Sequence, residues 1–141
     1  MNKKVVVGVV IFLNIFILLG MLYIYFTKSQ YDLSEKCAKS AGEYYRTQFL
    51  ENSNLDAGDI GGYKNHYNVK LNKCFVTVQL NSFHESTGNI NIMAGLVDAN
   101  EGKEYGTYYS HAAEVPTTCE VNNIKCDSLA AWRKLVKPYM E

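Results

Sequence analysis

The sequence has no net charge over its 141 residues, and it has no charged side chain between positions 5 and 27. Proteins that bind nucleic acids carry a basic patch or stripe, so the balanced charge indicates no nucleic-acid partner. About 20 apolar residues in helix cross the hydrocarbon core of a bilayer. Residues 5–27 reach that length, with Asn14 as a polar break, and predict one transmembrane helix in contact with the lipid bilayer.

The flanks of this helix predict its orientation. Lys3 and Lys4 precede the apolar run, which is typical of a cytoplasmic N-terminus, although Lys28, Lys36 and Lys39 roughly balance them on the other side. A signal peptide usually has a shorter apolar core and ends in small residues of A-x-A type, of which Thr27-Lys28-Ser29 is a poor version. We therefore favour an uncleaved anchor, with a cleaved signal peptide as the alternative.

The four cysteines lack the spacing of a structural zinc site, which brings cysteines together in pairs two to four residues apart. In a small domain, four cysteines are typical of two disulfides and an oxidising compartment. We therefore predict that residues 1–4 are cytoplasmic. Residues 28–141 then form one domain beyond the inner (cytoplasmic) membrane, in the periplasm or outside the cell.

Two helices are predicted in this domain. Residues 32–51 begin with the capping residues Asp32 and Glu35, and an apolar residue recurs at every fourth position. That stripe consists of Leu33, Cys37, Ala41, Tyr45 and Phe49. Residues 127–137 form the second helix, which Pro138 ends, with Leu129, Trp132 and Val136 on its apolar side. The polar residues 51–65 are predicted to be a loop.

Alternation of apolar and polar residues predicts four antiparallel strands, at residues 66–71, 74–83, 90–98 and 103–110. A two-residue turn at Asn72-Lys73 would pair Leu71 with Cys74. Matching the apolar faces places Val78 beside Ala94, and Ala94 beside Thr107. The prediction is an α+β fold in which a helix packs on a four-stranded antiparallel meander.

The predicted register also pairs the cysteines. Cys74 points to the apolar face of the sheet and Cys37 lies on the apolar stripe of the helix, so we predict a disulfide between them. A small hairpin with Asn122-Asn123 at its turn places Cys119 opposite Cys126, at the separation that a disulfide requires.

Residues typical of catalysis or metal binding form no recognisable pattern. The sequence has no G-x-S-x-G motif, and nothing in the pattern gathers His66, His84 and His111 on one surface. Glu101 and Glu104 are more typical of solvated strand ends than of a general acid and base. We therefore predict no enzyme, no metal site and no cofactor.

The outer face of the predicted sheet is a candidate binding surface. One row across the strands contains Gly95 and Gly106, and glycine inside a strand often marks the close approach of a ligand or another chain. With their bulkier neighbours, the predicted binding residues are His66, Phe75, Gln79, Met93, Gly95, Gly106 and Tyr108. Two alternatives stay open: the C-terminal helix covers this face and buries Trp132, or the glycines mark β-bulges.

Two segments carry a resemblance to known proteins: His66-Tyr67-Asn68 and the run from Leu71 to Val76, Leu-Asn-Lys-Cys-Phe-Val. Together with Cys37 and Lys137-Pro138-Tyr139, they resemble small exported bacterial envelope proteins of unassigned function. The resemblance implies a bacterial envelope protein and brings no activity with it.

The order of elements is also similar to that of type IV pilins and pseudopilins, which have an N-terminal apolar helix, a meander and a C-terminal disulfide loop. Their leader is absent, since no glutamate follows Gly8 at the fifth mature position. A helix break predicted near Ser29 also differs from their continuous helix.

The sequence therefore predicts a membrane-anchored, extracytoplasmic binding module that presents the outer sheet face or the 51–65 loop to a partner protein of the envelope. The alternatives are a pilin-like structural subunit, a small periplasmic enzyme and an enzyme inhibitor.

Overall fold

A computed structural model describes residues 3–51, 60–84, 88–112 and 116–141. The fold is α+β, as predicted, with an apolar N-terminal helix, an antiparallel sheet, a short C-terminal helix and two disulfides. Its contacts divide the chain into two units, Met1–Leu33 and Ser34–Glu141. Within the described residues, one helix is long and apolar enough to span a membrane, and the disulfides fit an extracytoplasmic domain.

Helix α1 comprises Lys3–Tyr45, and a π-helical turn, Arg46–Leu50, follows it. The predicted break near Ser29 and the predicted helix start at Asp32 are therefore wrong. The chain has neither proline nor glycine between Gly20 and Gly42, so no residue in that interval forces the helix to end.

The sheet contains six strands rather than four. They are β1 Ile60–Asn68, β2 Lys73–His84, β3 Asn89–Asp98, β4 Lys103–Ser110, β5 Pro116–Val121 and β6 Ile124–Lys125. Each strand pairs antiparallel with the next one along the chain. The predicted small hairpin has the predicted register, with Glu120 opposite Lys125. It belongs to the main sheet because Cys119 also pairs with Tyr108.

The turn of the first hairpin is longer than predicted. Tyr67, rather than Leu71, pairs with Cys74, and the turn comprises residues 69–72. Asn72 has a φ of 52°, in the left-handed region that asparagine tolerates. The turn has four residues instead of the predicted two. Because this difference is an even number of residues, Tyr67 and Cys74 still point to the same face of the sheet, as predicted.

The predicted loop at residues 51–65 is in part a strand. β1 begins at residue 60, so residues 60–65 pair with β2, and residues 52–59 lie outside the described residues. The two glycines at positions 61 and 62 made this segment look like a loop, although β2 supplies it with a complete pairing partner.

The pairing of β2 with β3 is shifted by one residue from the prediction. Val78 pairs with Gly95 rather than with Ala94, and a one-residue shift moves every side chain to the other face. Apolar matching could not detect this because β3 is buried on both faces, with Leu96 and Val97 both in the core.

A β-bulge interrupts the pairing of β3 with β4. Leu96 pairs with Gly106 and Val97 with Glu104, so Tyr105 is the extra residue. The predicted pairing of Ala94 with Thr107 is therefore wrong, because Ala94 pairs with Tyr108. The bulge lies beside Gly106, whereas Gly95 pairs regularly with Thr107, so the alternative that the glycines mark bulges holds for Gly106 alone.

One face of the sheet, the α1 face, packs against the end of α1. It carries the side chains of Cys74, Val76, Val78 and Val97. Ala41 is fully buried in this cluster, and Tyr45 and Phe49 pack at its edge. From Cys37 onward, the predicted stripe of α1 is therefore the surface that meets the sheet. Cys37 and Cys74 form a disulfide with a Cα–Cα distance of 5.2 Å.

The opposite face, the α2 face, packs against helix α2, Leu129–Val136. It carries Phe75, Ala94, Leu96, Tyr108, Cys119 and Val121, which form one buried cluster with Trp132 and Val136. Ser128 caps α2 by accepting a hydrogen bond from the Ala131 backbone N–H at 3.2 Å. A 3₁₀ turn, Lys137–Tyr139, follows the helix.

Candidate functional site

The predicted binding residues lie on two opposite faces of the sheet. The α2 face has His66, Phe75, Gln79, Gly106 and Tyr108, and the α1 face has Met93 and Gly95. The predicted glycine row is therefore wrong, since the shifted register separates Gly95 from Gly106. Phe75 and Tyr108 are buried with Trp132, so the C-terminal helix covers this surface, which was one of the two alternatives.

An open cleft of about 790 Å³ remains on the α2 face, between α2 and the first two strands. The strands contribute Gly62, Lys64, Thr77, Gln79 and Asn81. Trp132, Val136 and Met140 form an apolar wall opposite them. Gln79 is the one predicted binding residue that lines this cleft.

Polar side chains connect the two sides of the cleft. Arg133 Nη2 donates a hydrogen bond to Gln79 Oε1 at 3.0 Å, and Gln79 Nε2 donates to Asn81 Oδ1 at 3.1 Å. Lys64 and Lys137 also line the cleft, and its lining contains no carboxylate, imidazole or thiol. The cleft is therefore positively charged.

Asn68 holds the C-terminal side of the cleft in place. Its side chain is buried, and its amide nitrogen lies 2.9 Å from the main-chain oxygen of Pro138 and 3.3 Å from that of Tyr139. Its side-chain oxygen accepts a hydrogen bond from the backbone N–H of Leu71 at 3.0 Å. One buried amide thus ties the turn after β1 to the segment that carries Met140.

A charged network lies at the turn end of the first hairpin, where Lys73 pairs with Asn68. Lys73 Nζ is 2.7 Å from the buried carboxylate of Asp98. It is also 2.8 Å from the carboxylate of Glu101, whose side chain is exposed. Hydrogen bonds to Asp98 and then Glu101 raise the pKa of Lys73 above its ordinary value. Asp98 also accepts hydrogen bonds from the backbone N–H groups of Asn100 and Glu101, so this network fixes the β3–β4 turn.

The histidines do not come together in the described part of the chain. His66 is half-buried on β1 and His111 is exposed after β4, while the side chain of His84 lies outside the described residues. Among those residues, no group of three or more His, Cys, Asp or Glu side chains is placed to hold a metal ion.

The chain matches no family model, no curated protein and no solved structure. The cleft is thus described by its own residues alone. Sequence analysis did not single out Gly62, Lys64 or Arg133. The first two fall in the predicted 51–65 loop, which was proposed as a binding segment only as a whole, and Arg133 falls on the polar side of a helix. The feature of the sequence that could have indicated the cleft is the pair of glycines at positions 61 and 62, which both line it.

Proposed function

We propose that this protein is a membrane-anchored binding module of the bacterial envelope. Residues 5–27 hold it in the cytoplasmic membrane, and residues 28–141 lie in the periplasm or outside the cell. The apolar run, Lys3 and Lys4 before it, and two disulfides in the folded domain support this arrangement.

The observation that carries the binding role is the cleft between β1 and α2. It combines an apolar wall around Trp132 with three cationic side chains, Lys64, Arg133 and Lys137. Ligand sites are concave, mostly apolar surfaces with a few oriented polar groups, and this cleft has that composition. Its lining residues include no carboxylate or imidazole.

A photoreactive amino acid in place of Lys64, in the full-length protein in its membrane, tests this role. We expect one discrete heterologous adduct, because the side chain of Lys64 is exposed and lines the cleft. The same amino acid in place of Lys134 is the matched control, since Lys134 is exposed on α2 but does not line the cleft. Identical adducts at both positions, or none at Lys64, would contradict the proposal.

The second candidate is a pilin-like structural subunit. One observation favours it over the sequence-based expectation: α1 continues through Ser29 and Asp32 as a single helix, Lys3–Tyr45. In that case the crosslinker at Lys64 would give a ladder of self-adducts. N-terminal sequencing would also find that the chain had been shortened by leader cleavage.

A further inference from the structure

We propose that the outer edge of β1 binds an extended, acidic segment of a partner protein as a seventh strand, whose side chains enter the cleft. This inference rests on the proposed binding function and names the chemistry of the partner.

The edge of β1 has the length that strand addition needs. β1 has nine residues and pairs with β2 along all of them, and no described strand lies on its other side. An edge strand directs a row of unpaired backbone N–H and C=O groups outward, and extended peptides bind such edges through main-chain hydrogen bonds. β6, the last strand at the other end of the sheet, has two residues.

The strand is also open on its cleft side. A Cβ atom added at Gly62 would meet no heavy atom within 4 Å, whereas one added at Gly61 would lie 2.9 Å from Tyr45 Oη. Gly62 faces the cleft, in register with Gln79. An added strand can therefore place alternate side chains beside Gly62, where Trp132 and Met140 offer apolar contact.

The charge of the cleft selects the partner. Lys64, Arg133 and Lys137 line it without a carboxylate among the lining residues. Glu141 lies 3.2 Å from Lys137, and both side chains are more than 60% exposed, so water screens this pair. Acidic side chains at alternate positions of an added strand would complement these cations.

A second copy of this chain fits the edge less well. β1 contains Lys64 and no aspartate or glutamate. Antiparallel pairing of two β1 edges would bring two lysines together, and like charges in cross-strand contact are destabilising. The charge pattern thus favours a heterologous acidic segment over self-association.

A display library of random dodecapeptides, selected on the full-length protein in phospholipid nanodiscs, tests the inference. The Gly62→Val variant serves for counter-selection, because its side chain projects into the cleft and its Cβ atom meets no heavy atom within 4 Å. We expect the recovered peptides to carry aspartate or glutamate at alternate positions. Binding is measured through the fluorescence of Trp132, the one tryptophan in the sequence.

Charge variants and amide hydrogen exchange then examine how the recovered peptides bind. Lys64→Glu should raise Kd by about tenfold or more, and Lys134→Glu, outside the cleft, should change it little. A bound seventh strand should slow the exchange of alternate backbone amides in β1. Uniform or absent protection of β1 would overturn strand addition.

The remaining outcomes separate this inference from the proposed function. Peptides without acidic enrichment that still lose binding in Gly62→Val would overturn the acidic-strand inference and leave the binding function standing. A dimer that Gly62→Val dissociates would identify a second copy as the occupant and overturn the inference. If no peptide distinguishes wild type from Gly62→Val, both the inference and the proposed binding cleft are wrong.

Discussion

Cys37 and Cys74 form a disulfide that joins α1 to β2, and both residues are buried beneath the end of the helix. It closes a loop with a sequence separation of 37 residues, while Cys119 and Cys126 are separated by 7. In the chain-entropy model, a longer loop restricts the unfolded chain more. Replacing both members of the first pair by serine should therefore lower the free energy of unfolding by about 4 kcal/mol, against about 2.5 kcal/mol for the second pair.

Urea unfolding of the two double-serine variants measures this difference. The single variant Cys37→Ser provides a check on the pairing, because it should leave Cys74, and not Cys119, reactive to a thiol label. Equal losses of stability in the two double variants would contradict the loop-length argument. Labelling of Cys119 in Cys37→Ser would contradict the pairing itself.

Gly106 and Gly95 lie in adjacent strands but on opposite faces of the sheet. A Cβ atom on Gly106 would lie 2.9 Å from Val121 Cγ2 and 3.0 Å from the Glu120 carbonyl oxygen, whereas one on Gly95 would meet only the Gly106 oxygen, at 4.0 Å. Overpacking of this kind costs about 1–3 kcal/mol. We expect that loss for Gly106→Val and a much smaller change for Gly95→Val, measured by thermal or urea unfolding.

These two glycines also mark the limit of what the sequence could predict. Strands β2 to β4, the α1 stripe from Cys37 onward and both cysteine pairs were predicted from periodicity and turn residues. The register of β3 was not, since Leu96 and Val97 are both buried and either face could have been taken as the core. A sheet covered on both faces removes the contrast on which such predictions depend.

Ser110 and Ser128 should respond in opposite directions to replacement by alanine. The Ser110 hydroxyl is buried with no hydrogen-bond partner in the described structure, so removing it eliminates a desolvation cost, and Ser110→Ala should stabilise the domain by up to about 1 kcal/mol. Ser128 caps α2, so Ser128→Ala should cost about 1 kcal/mol. Chemical denaturation of both variants measures the two signs, and destabilisation by Ser110→Ala would indicate a partner for its hydroxyl.

Lys73 should make stability depend on pH in the alkaline range. Its pKa is raised in the fold, chiefly by hydrogen bonds to Asp98 and Glu101, so the folded state binds its proton more tightly than the unfolded state does. The stabilisation that protonated Lys73 contributes is complete below pH 10.5, the ordinary pKa of lysine. It is lost as the pH rises above that value.

Urea unfolding of wild type and Lys73→Gln over this range isolates the effect, because the two proteins share every other ionisable group. The stability difference between them should be constant at neutral pH and should shrink above pH 10.5. A difference that stays constant through the alkaline range would show that the charge of Lys73 does not contribute.

The cleft could not be predicted from the sequence because its parts come from distant segments. Gly62 and Lys64 precede Arg133 by about 70 positions, and the hydrogen bond between Arg133 and Gln79 has no local signature. The sequence did indicate that the C-terminal helix covers the outer face, through the apolar side that includes Trp132. The sequence could not indicate how far across the sheet this helix extends. Because the helix stops short of β1, the cleft beside β1 is left open.

The disulfide between Cys37 and Cys74 has a mechanical consequence. Tension applied through α1 passes to β2 across the sulfur–sulfur bond, so the disulfide bypasses residues 38–73. β1, Ile60–Asn68, lies within this bypassed segment. A pulling force between the N-terminal part of α1 and the strands after β2 would therefore leave β1 unloaded, and reduction of this disulfide would place β1 in the line of force.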